Sequence, residues 1–213
     1  MHNSINKLVL IKNKIQQKNS NAKIIAVSKT FPIEDVIPLI NYGHKDFGEN
    51  KVQEALDKWS DIKLKNNTIR LHLIGKLQTN KVKLALSIFD YIHSLDSQKL
   101  ATKISTEQVK QKKKPKIFVQ VNIGNEDQKS GIDKDNLLNF YKFCRNLNLD
   151  IIGTMCIPPN NNNTEQYFSE MSKINKKLNF NDLSMGMSGD YLEAIKNNAT
   201  YVRVGSKIFG SRN

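Results

Sequence analysis

A lysine follows a short apolar run near the start of the chain. The run Ile24–Val27 ends on Ser28, and Lys29 comes next. Four consecutive apolar residues with β-branched members are too few for a helix, and they predict a strand that is buried on both faces. An amine held against apolar surroundings loses its charge more easily, which suits it to forming a Schiff base with a carbonyl compound. The alternative is that Lys29 is an ordinary lysine on the solvent-exposed surface. Considered without the rest of the chain, this position favours that alternative, because most lysines are exposed.

Small and hydroxyl residues near the end of the chain are suited to binding phosphate. Ser188 follows one predicted strand, and Gly205 and Ser206 follow the next. We expect Ser188 to cap the helix after it. Free backbone N–H groups at such positions favour a dianion, and barrels often bind phosphate with the loops after strands seven and eight. These residues therefore predict a phosphate-sized site.

Arg203 lies inside an apolar strand pattern, although only four of the 33 basic residues are arginine. A permanently charged donor there could bond to a pyridine nitrogen and keep it unprotonated, which weakens the ring as an electron sink. The alternative is that Arg203 pairs with a carboxylate to hold the strands together, and the residues favour neither interpretation. A nucleophilic lysine, a phosphate site and this arginine together suggest pyridoxal 5′-phosphate (PLP).

Strands and helices alternate along the chain after an opening amphipathic helix. The predicted strands are Ile24–Ser28, Asp46–Gly48, Arg70–Ile74, Tyr91–His93, Ile117–Asn122, Asp150–Met155, Asp182–Met185 and Tyr201–Val204. The predicted helices between them are Ile33–Tyr42, Lys51–Lys58, Gln78–Leu86, Ser97–Lys110, Lys134–Asn146, Glu165–Leu178 and Gly189–Asn197. This order predicts an α/β fold, a single (β/α)8 TIM barrel over residues 1–213, with an open doubly wound sheet as the alternative.

Composition narrows the classes of partner. The net charge of +13 comes with many lysines, asparagines and isoleucines, which indicates a biased coding background rather than a nucleic-acid surface. The densest cluster, Lys110–Lys114, has no interleaved aromatic residue and predicts a solvated loop. Two cysteines, no secretory signal and no long apolar run predict a cytoplasmic protein without a membrane span.

Seven runs in fixed order resemble the family of pyridoxal phosphate homeostasis proteins, which is similar to the N-terminal barrel domain of alanine racemase. They are IIAVSKT, FGENKVQE, LHLIGKLQTNK, VQVNIGNEDQKSGI, IIGTMCIPP, LSMGMSGDY and YVRVGSKIFG, spread from about residue 22 to residue 210. The resemblance implies a (β/α)8 barrel that holds PLP as a Schiff base on Lys29. It also implies roles for five other residues: Ser188, Gly205 and Ser206 as phosphate contacts, Arg203 facing the pyridine nitrogen, and Asn50 lining the pocket.

Two positions depart from the family pattern. Lys76 stands where the family usually has proline, and Ser206 replaces a common threonine while keeping the hydroxyl. A solvent-facing side chain is expected at Lys76. His72 is expected to be a hydrogen-bonded barrel residue rather than an acid–base catalyst, and the histidine and cysteine spacing suggests no metal site.

The resemblance implies a protein that buffers or delivers PLP, with apo forms of PLP enzymes as candidate recipients and without established turnover. A racemase needs two bases on opposite faces of the substrate, and one lysine supplies only one of them. In alanine racemase the second base comes from the other subunit of a dimer with an additional β domain, for which these 213 residues leave no room. We therefore expect a monomeric binding protein rather than an enzyme, with a low-activity PLP-dependent amino-acid racemase as the alternative.

Overall fold

The computed structural model describes residues 2–18, 20–126, 130–161 and 163–210. Eight parallel strands form a closed barrel in which β1 pairs with both β2 and β8. The strands are β1 (Lys23–Val27), β2 (Asp46–Glu49), β3 (Arg70–Leu73), β4 (Tyr91–Leu95), β5 (Lys116–Gln120), β6 (Asp150–Met155), β7 (Asp182–Met187) and β8 (Tyr201–Val204). The predicted (β/α)8 barrel is confirmed, and the open sheet is excluded because the barrel closes.

An N-terminal helix precedes the barrel, as predicted, and further helices cover its outside. The helices are α1 (Asn3–Gln16), α2 (Ile33–Asn41), α3 (Val52–Lys65), α4 (Val82–Ile88), α5 (Gln98–Gln111), α6 (Leu137–Asn146), α7 (Thr164–Lys177), α8 (Tyr191–Lys196) and α9 (Ser206–Phe209). Short 3-10 turns, Thr79–Lys81 and Lys134–Asn136, lead into α4 and α6. Part of one family-like run, Asp127 to Lys129, lies outside the described residues.

Apolar side chains form two layers. The larger layer lies between the strands and the surrounding helices and includes Leu8, Phe47 and Trp59. The smaller layer fills the barrel interior, with Ile25 and Phe118 among its members. Burying each such side chain contributes about 1.5–3 kcal/mol. The interior also contains several polar side chains, so it is not held together by apolar contact alone.

A glycine in β6 allows close contact with β7. A Cβ added at Gly153 would lie 1.7 Å from the carbonyl oxygen of Asp182, its pairing partner on β7. No side chain fits at that distance, so the strand spacing at this point requires glycine.

The lysine-rich cluster begins in the last turn of α5, and two lysines beyond the helix bond to neighbouring segments. Lys113 donates to the carbonyl oxygen of Ser87 and Lys114 donates to Asn148 Oδ1, at 2.7 and 2.9 Å. These contacts agree with the predicted loop. In the part of the chain that the structure describes, no helix has the length and apolar character that a membrane span requires.

Candidate functional site

A cavity of about 510 Å³ opens at the C-terminal ends of the strands. It is lined by all six residues that the sequence singles out: Lys29, Asn50, Ser188, Arg203, Gly205 and Ser206. They come from β8 and from the segments after β1, β2, β7 and β8, so barrel closure is what brings them together. The volume is in the range of small-molecule sites. In (β/α)8 barrels, ligands bind at the C-terminal ends of the strands, where this cavity lies.

Ser28, the residue before Lys29, forms hydrogen bonds with residues of β2 and α3. The Ser28 hydroxyl donates to Glu49 Oε1 at 2.8 Å, and the Ser28 carbonyl accepts a hydrogen bond from Lys58 Nζ at 2.9 Å. Lys58 also forms an ion pair with Glu49 at 2.9 Å, and Trp59 donates to the same carboxylate oxygen. Three donors on one buried oxygen fix the end of β1 and so the starting point of the Lys29 side chain.

Glu49 and Lys58 are supporting residues that sequence reasoning missed. The Glu49 side chain is fully buried and that of Lys58 is 9% exposed, while Glu49 Oε2 has no hydrogen-bond partner. The sequence did contain a signal for this pair. Glu49 comes directly after a predicted strand, and Lys58 follows nine residues later on the next predicted helix.

The residue after Lys29 has an unusual backbone. Thr30 has φ of 69°, a left-handed conformation that is strained for a β-branched residue. Its N–H donates to Glu54 Oε1 of α3 at 2.5 Å, which supports this conformation. Phe31 then packs against Phe209 of α9 with ring centroids 5.1 Å apart, joining the two loops on either side of the cavity. Lys29 is therefore held on both sides by contacts with other elements.

Asn50 is positioned by a close approach of two loops. It follows β2 directly, and a Cβ added at Gly75 after β3 would lie 2.4 Å from the Asn50 carbonyl oxygen. Only glycine leaves room for this contact. Lys76, which follows Gly75, is exposed as expected. Burial raises the pKa of Asp96, and the positive charge of Lys76 partly opposes this rise.

Ser188 lies beside the loop that joins β8 to α9. Its hydroxyl oxygen accepts from the backbone N–H groups of Gly205 and Lys207, at 3.2 and 3.4 Å. The prediction that Ser188 caps the next helix is wrong: α8 starts after Asp190, whose carboxylate accepts from the Met187 N–H. Two backbone donors thus point at one oxygen, which is the arrangement that an anion requires.

Arg203 is buried at the base of the cavity. Its guanidinium donates to Ser184 Oγ and to the Cys156 carbonyl oxygen, each at 2.9 Å. Both partners are neutral oxygens, so these bonds do not support the alternative in which Arg203 pairs with a carboxylate. Burial lowers the pKa of Arg203 from its ordinary value, and nearby Asp190 opposes that effect.

His72 is hydrogen-bonded in the barrel interior, as predicted. Its ring nitrogens lie 3.0 Å from His93 Nε2 and 3.0 Å from Asp46 Oδ1. No cluster of three or more histidine, cysteine or acidic residues suited to a metal ion occurs within residues 2–18, 20–126, 130–161 and 163–210. Cys144 and Cys156 are buried, and burial raises the pKa of each thiol to about 12.

A larger cavity of about 780 Å³ opens at the opposite end of the barrel. Two of its cations are already paired, Lys63 with Asp90 at 2.5 Å and Arg70 with Asp46 at 2.6 Å. These two cations are occupied by contacts within the protein. The smaller cavity is therefore the better candidate site on chemical grounds.

The groups around the smaller cavity match the parts of PLP. Lys29 offers an amine for the aldehyde, and Arg203 offers a charged donor for the ring nitrogen. Ser188 and Ser206 offer hydroxyl groups for the phosphate. The remaining lining includes apolar side chains suited to the faces of an aromatic ring, among them Val27, Ile74, Ile157 and Met187.

Comparisons with known proteins agree with this match. Residues 6–213 match the family model described as alanine racemase, N-terminal domain. The chain is 37% identical over 208 residues to the pyridoxal phosphate homeostasis protein of Pasteurella multocida, covering 92% of this chain and 89% of the relative. It is 38% identical over 201 residues to the protein of that name from Aquifex aeolicus, covering 90% and 87%. The structure of PipY from Synechococcus elongatus PCC7942 with PLP bound matches with a TM-score of 0.89 at 30% identity, covering 97% of this chain and 100% of that one.

Proposed function

The chain belongs to the family of pyridoxal phosphate homeostasis proteins, and we propose that it binds PLP in the cavity at the C-terminal end of its barrel. The observation that carries this proposal is the convergence of an amine, a guanidinium and phosphate-binding donors on one cavity of about 510 Å³. The related PipY structure with PLP bound supports it.

Lys29 is the proposed covalent attachment point. Its amine, as the free base, would add to the aldehyde carbon of PLP with loss of water, so that a C=N bond would replace the C=O bond. PLP held in this way would supply a carbon that another amine can attack and a conjugated ring. The protein contributes the position of the amine, because Ser28 and Thr30 are both anchored to residues of β2 and α3.

Ser188, Gly205 and Ser206 are the proposed phosphate contacts. The N–H groups of Gly205 and Lys207 donate to the Ser188 hydroxyl oxygen, so a phosphate bound here would take over these two donors from Ser188. Asn50 lines the cavity between Lys29 and the segment after β3, where its amide can bond to a polar substituent of the ring.

We also propose that the protein holds PLP rather than turning over a substrate. Of the described residues that line the cavity, only Lys29 has a side chain that can act as a base once it is deprotonated, because the Arg203 guanidinium stays protonated. Racemisation needs a second base on the opposite face. Arg203 would further oppose carbanion chemistry, because a guanidinium at the ring nitrogen keeps that nitrogen unprotonated.

A low-activity amino-acid racemase is the second candidate, favoured by the match to the alanine racemase N-terminal domain. The two functions differ in whether the protein removes the α-proton of an amino acid. Incubation with single L-amino acids in deuterated water, followed by NMR, measures that step. Exchange above the background of a Lys29→Ala variant would favour the racemase, and exchange equal to that background favours a binding protein.

Delivery of the cofactor completes the proposal, with apo forms of PLP enzymes as recipients and the protein acting as a monomer in the cytoplasm. A buffering protein must release PLP on demand. The test loads the purified protein with PLP, removes free cofactor, and follows activation of an apo-enzyme beside release into buffer. Activation faster than spontaneous release supports delivery. Activation that only equals release into buffer restricts the role to storage, and failure to retain any PLP contradicts the proposal as a whole.

A further inference from the structure

A continuous chain of buried hydrogen bonds crosses the interior of the barrel from the cavity towards its other end. Arg203 Nη1 donates to Ser184 Oγ at 2.9 Å, and Ser184 Oγ lies 2.9 Å from His93 Nδ1. His93 Nε2 lies 3.0 Å from His72 Nδ1, and His72 Nε2 lies 3.0 Å from Asp46 Oδ1. The chain joins residues of β8, β7, β4, β3 and β2.

The two ends fix the direction of every hydrogen bond between them. Arg203 can only donate, whereas an ionised Asp46 can only accept. Burial raises the pKa of Asp46, but hydrogen bonds from His72 and Arg70 outweigh this effect and lower it to about 2, so the carboxylate is ionised at neutral pH. Burial lowers the pKa of both histidines, which favours neutral rings. With neutral rings, an accepting Asp46 places the proton of His72 on Nε2, His93 then donates from Nε2 to His72, and the Ser184 hydroxyl donates to His93.

The surroundings hold this arrangement in place. Ser184, His93 and His72 are all completely buried, and burial lowers the pKa of both histidines. His93 stacks on Phe118 and His72 stacks on Tyr91, with ring centroids 4.3 and 4.2 Å apart. Neutral rings in fixed orientations keep each donor aimed at its acceptor.

We propose that Asp46, His72, His93 and Ser184 form a positioning relay for Arg203, an inference that rests on the PLP-binding function proposed above. A buried guanidinium whose partners are neutral oxygens needs compensation for its charge. The relay contributes to this through hydrogen bonds that are polarised in one direction and end on the Asp46 carboxylate, which also pairs with Arg70, and the charge of Asp190 acts in the same sense. It fixes where the guanidinium lies beneath the cavity, and so how it meets the ring nitrogen of PLP.

The direction of the relay is testable in the cofactor-free protein. Long-range ¹H–¹⁵N NMR distinguishes the two histidine tautomers. We expect the Nε2–H tautomer for His72 and His93 at neutral pH, and a mixture of tautomers in Asp46→Asn, whose amide can donate as well as accept. An Nδ1–H tautomer or a charged ring at either histidine in the wild type would overturn the relay, whatever the outcome of any PLP measurement.

The effect on the site is testable with PLP itself. Ser184→Ala and His93→Leu should each raise the dissociation constant about tenfold, which corresponds to about 1.4 kcal/mol, and should shift the absorption band of bound PLP. His93→Gln should retain most of the wild-type band and affinity, because glutamine keeps one donor and one acceptor.

Ser94→Ala is the matched control, since Ser94 is also buried but its hydroxyl has no hydrogen-bond partner. Relay variants that match Ser94→Ala in affinity and in band position would refute the relay. A wild-type protein that binds no PLP would refute the proposed function instead, and the NMR result would still decide the relay's direction. Circular dichroism confirms that each variant retains the barrel before it is compared.

Discussion

We expect acid to destabilise the fold through His44, a buried histidine between α2 and β2. It is 8% exposed, and its Nε2 lies 2.9 Å from the Asp46 carbonyl oxygen. Burial lowers the pKa of His44 from 6.5 to about 4, although Asp46 partly opposes this effect. The unfolded chain therefore binds a proton at His44 below about pH 6.5, whereas the folded protein does so only near pH 4.

The sign and size of the effect follow from that difference. Because the unfolded state binds more protons in this range, the stability from His44 is fully present above pH 6.5 and is lost as the pH falls towards 4. A pKa lowered from 6.5 to about 4 corresponds to about 3 kcal/mol at 1.36 kcal/mol per pH unit. Most of this is lost by pH 4. Burial also lowers the pKa of His72 and His93, so these residues act in the same direction.

Urea unfolding at pH 7, 5.5 and 4 measures this loss through the fluorescence of Trp59, the only tryptophan. His44→Gln keeps a donor for the Asp46 carbonyl but does not titrate. Its loss of unfolding free energy between pH 7 and pH 4 should be about 3 kcal/mol smaller than in the wild type. Equal acid losses in His44→Gln and the wild type would refute the reasoning.

Three further changes test the supports of the fold and the site. Lys58→Met should lower the free energy of unfolding by about 3 kcal/mol, because it leaves the buried carboxylate of Glu49 without its cation. The double variant Lys58→Met, Glu49→Gln should recover at least half of that loss in urea titrations. No recovery would contradict the pairing. Gly153→Ala should lower the free energy of unfolding by about 3 kcal/mol or prevent folding, because the added Cβ has no room against β7. Gly189→Ala, which has open space around it, should lower the free energy of unfolding by less than about 1 kcal/mol. Ser188→Ala should raise the dissociation constant of PLP about tenfold but that of pyridoxal, which has no phosphate, by less than about twofold; equal changes for the two ligands would show that Ser188 does not contact the phosphate.

The strands were predictable because their patterns are local. Four consecutive apolar residues in β1 and the apolar residues of β5 identify these strands without knowledge of their neighbours. Element ends were less predictable. Helix α3 continues to Lys65 rather than Lys58, since Trp59 and Ile62 extend its apolar face among polar residues that obscure the pattern. Strand β4 continues to Leu95 rather than ending at His93.

The candidate cavity was predictable because strand-end residues of a barrel must converge. The interior relay was not, because His93 and Ser184 are 91 residues apart and meet only through the register of a closed sheet. The role of Ser188 was only partly predictable, since its hydroxyl bonds to a loop 17 residues away rather than to the next helix. The assignment of residues 1–213 to one domain stays a prediction.

The central claim is that Lys29 carries the cofactor, and reductive trapping tests it most directly. The protein is incubated with PLP, reduced with sodium borohydride, digested and mapped by mass spectrometry, beside Lys29→Ala and, as a matched control, Lys76→Ala, which removes another lysine at this end of the barrel. We predict one phosphopyridoxyl group on the peptide that contains Lys29, retained in Lys76→Ala and absent from Lys29→Ala. Labelling of a different residue, or no labelling of the wild type, would contradict the account.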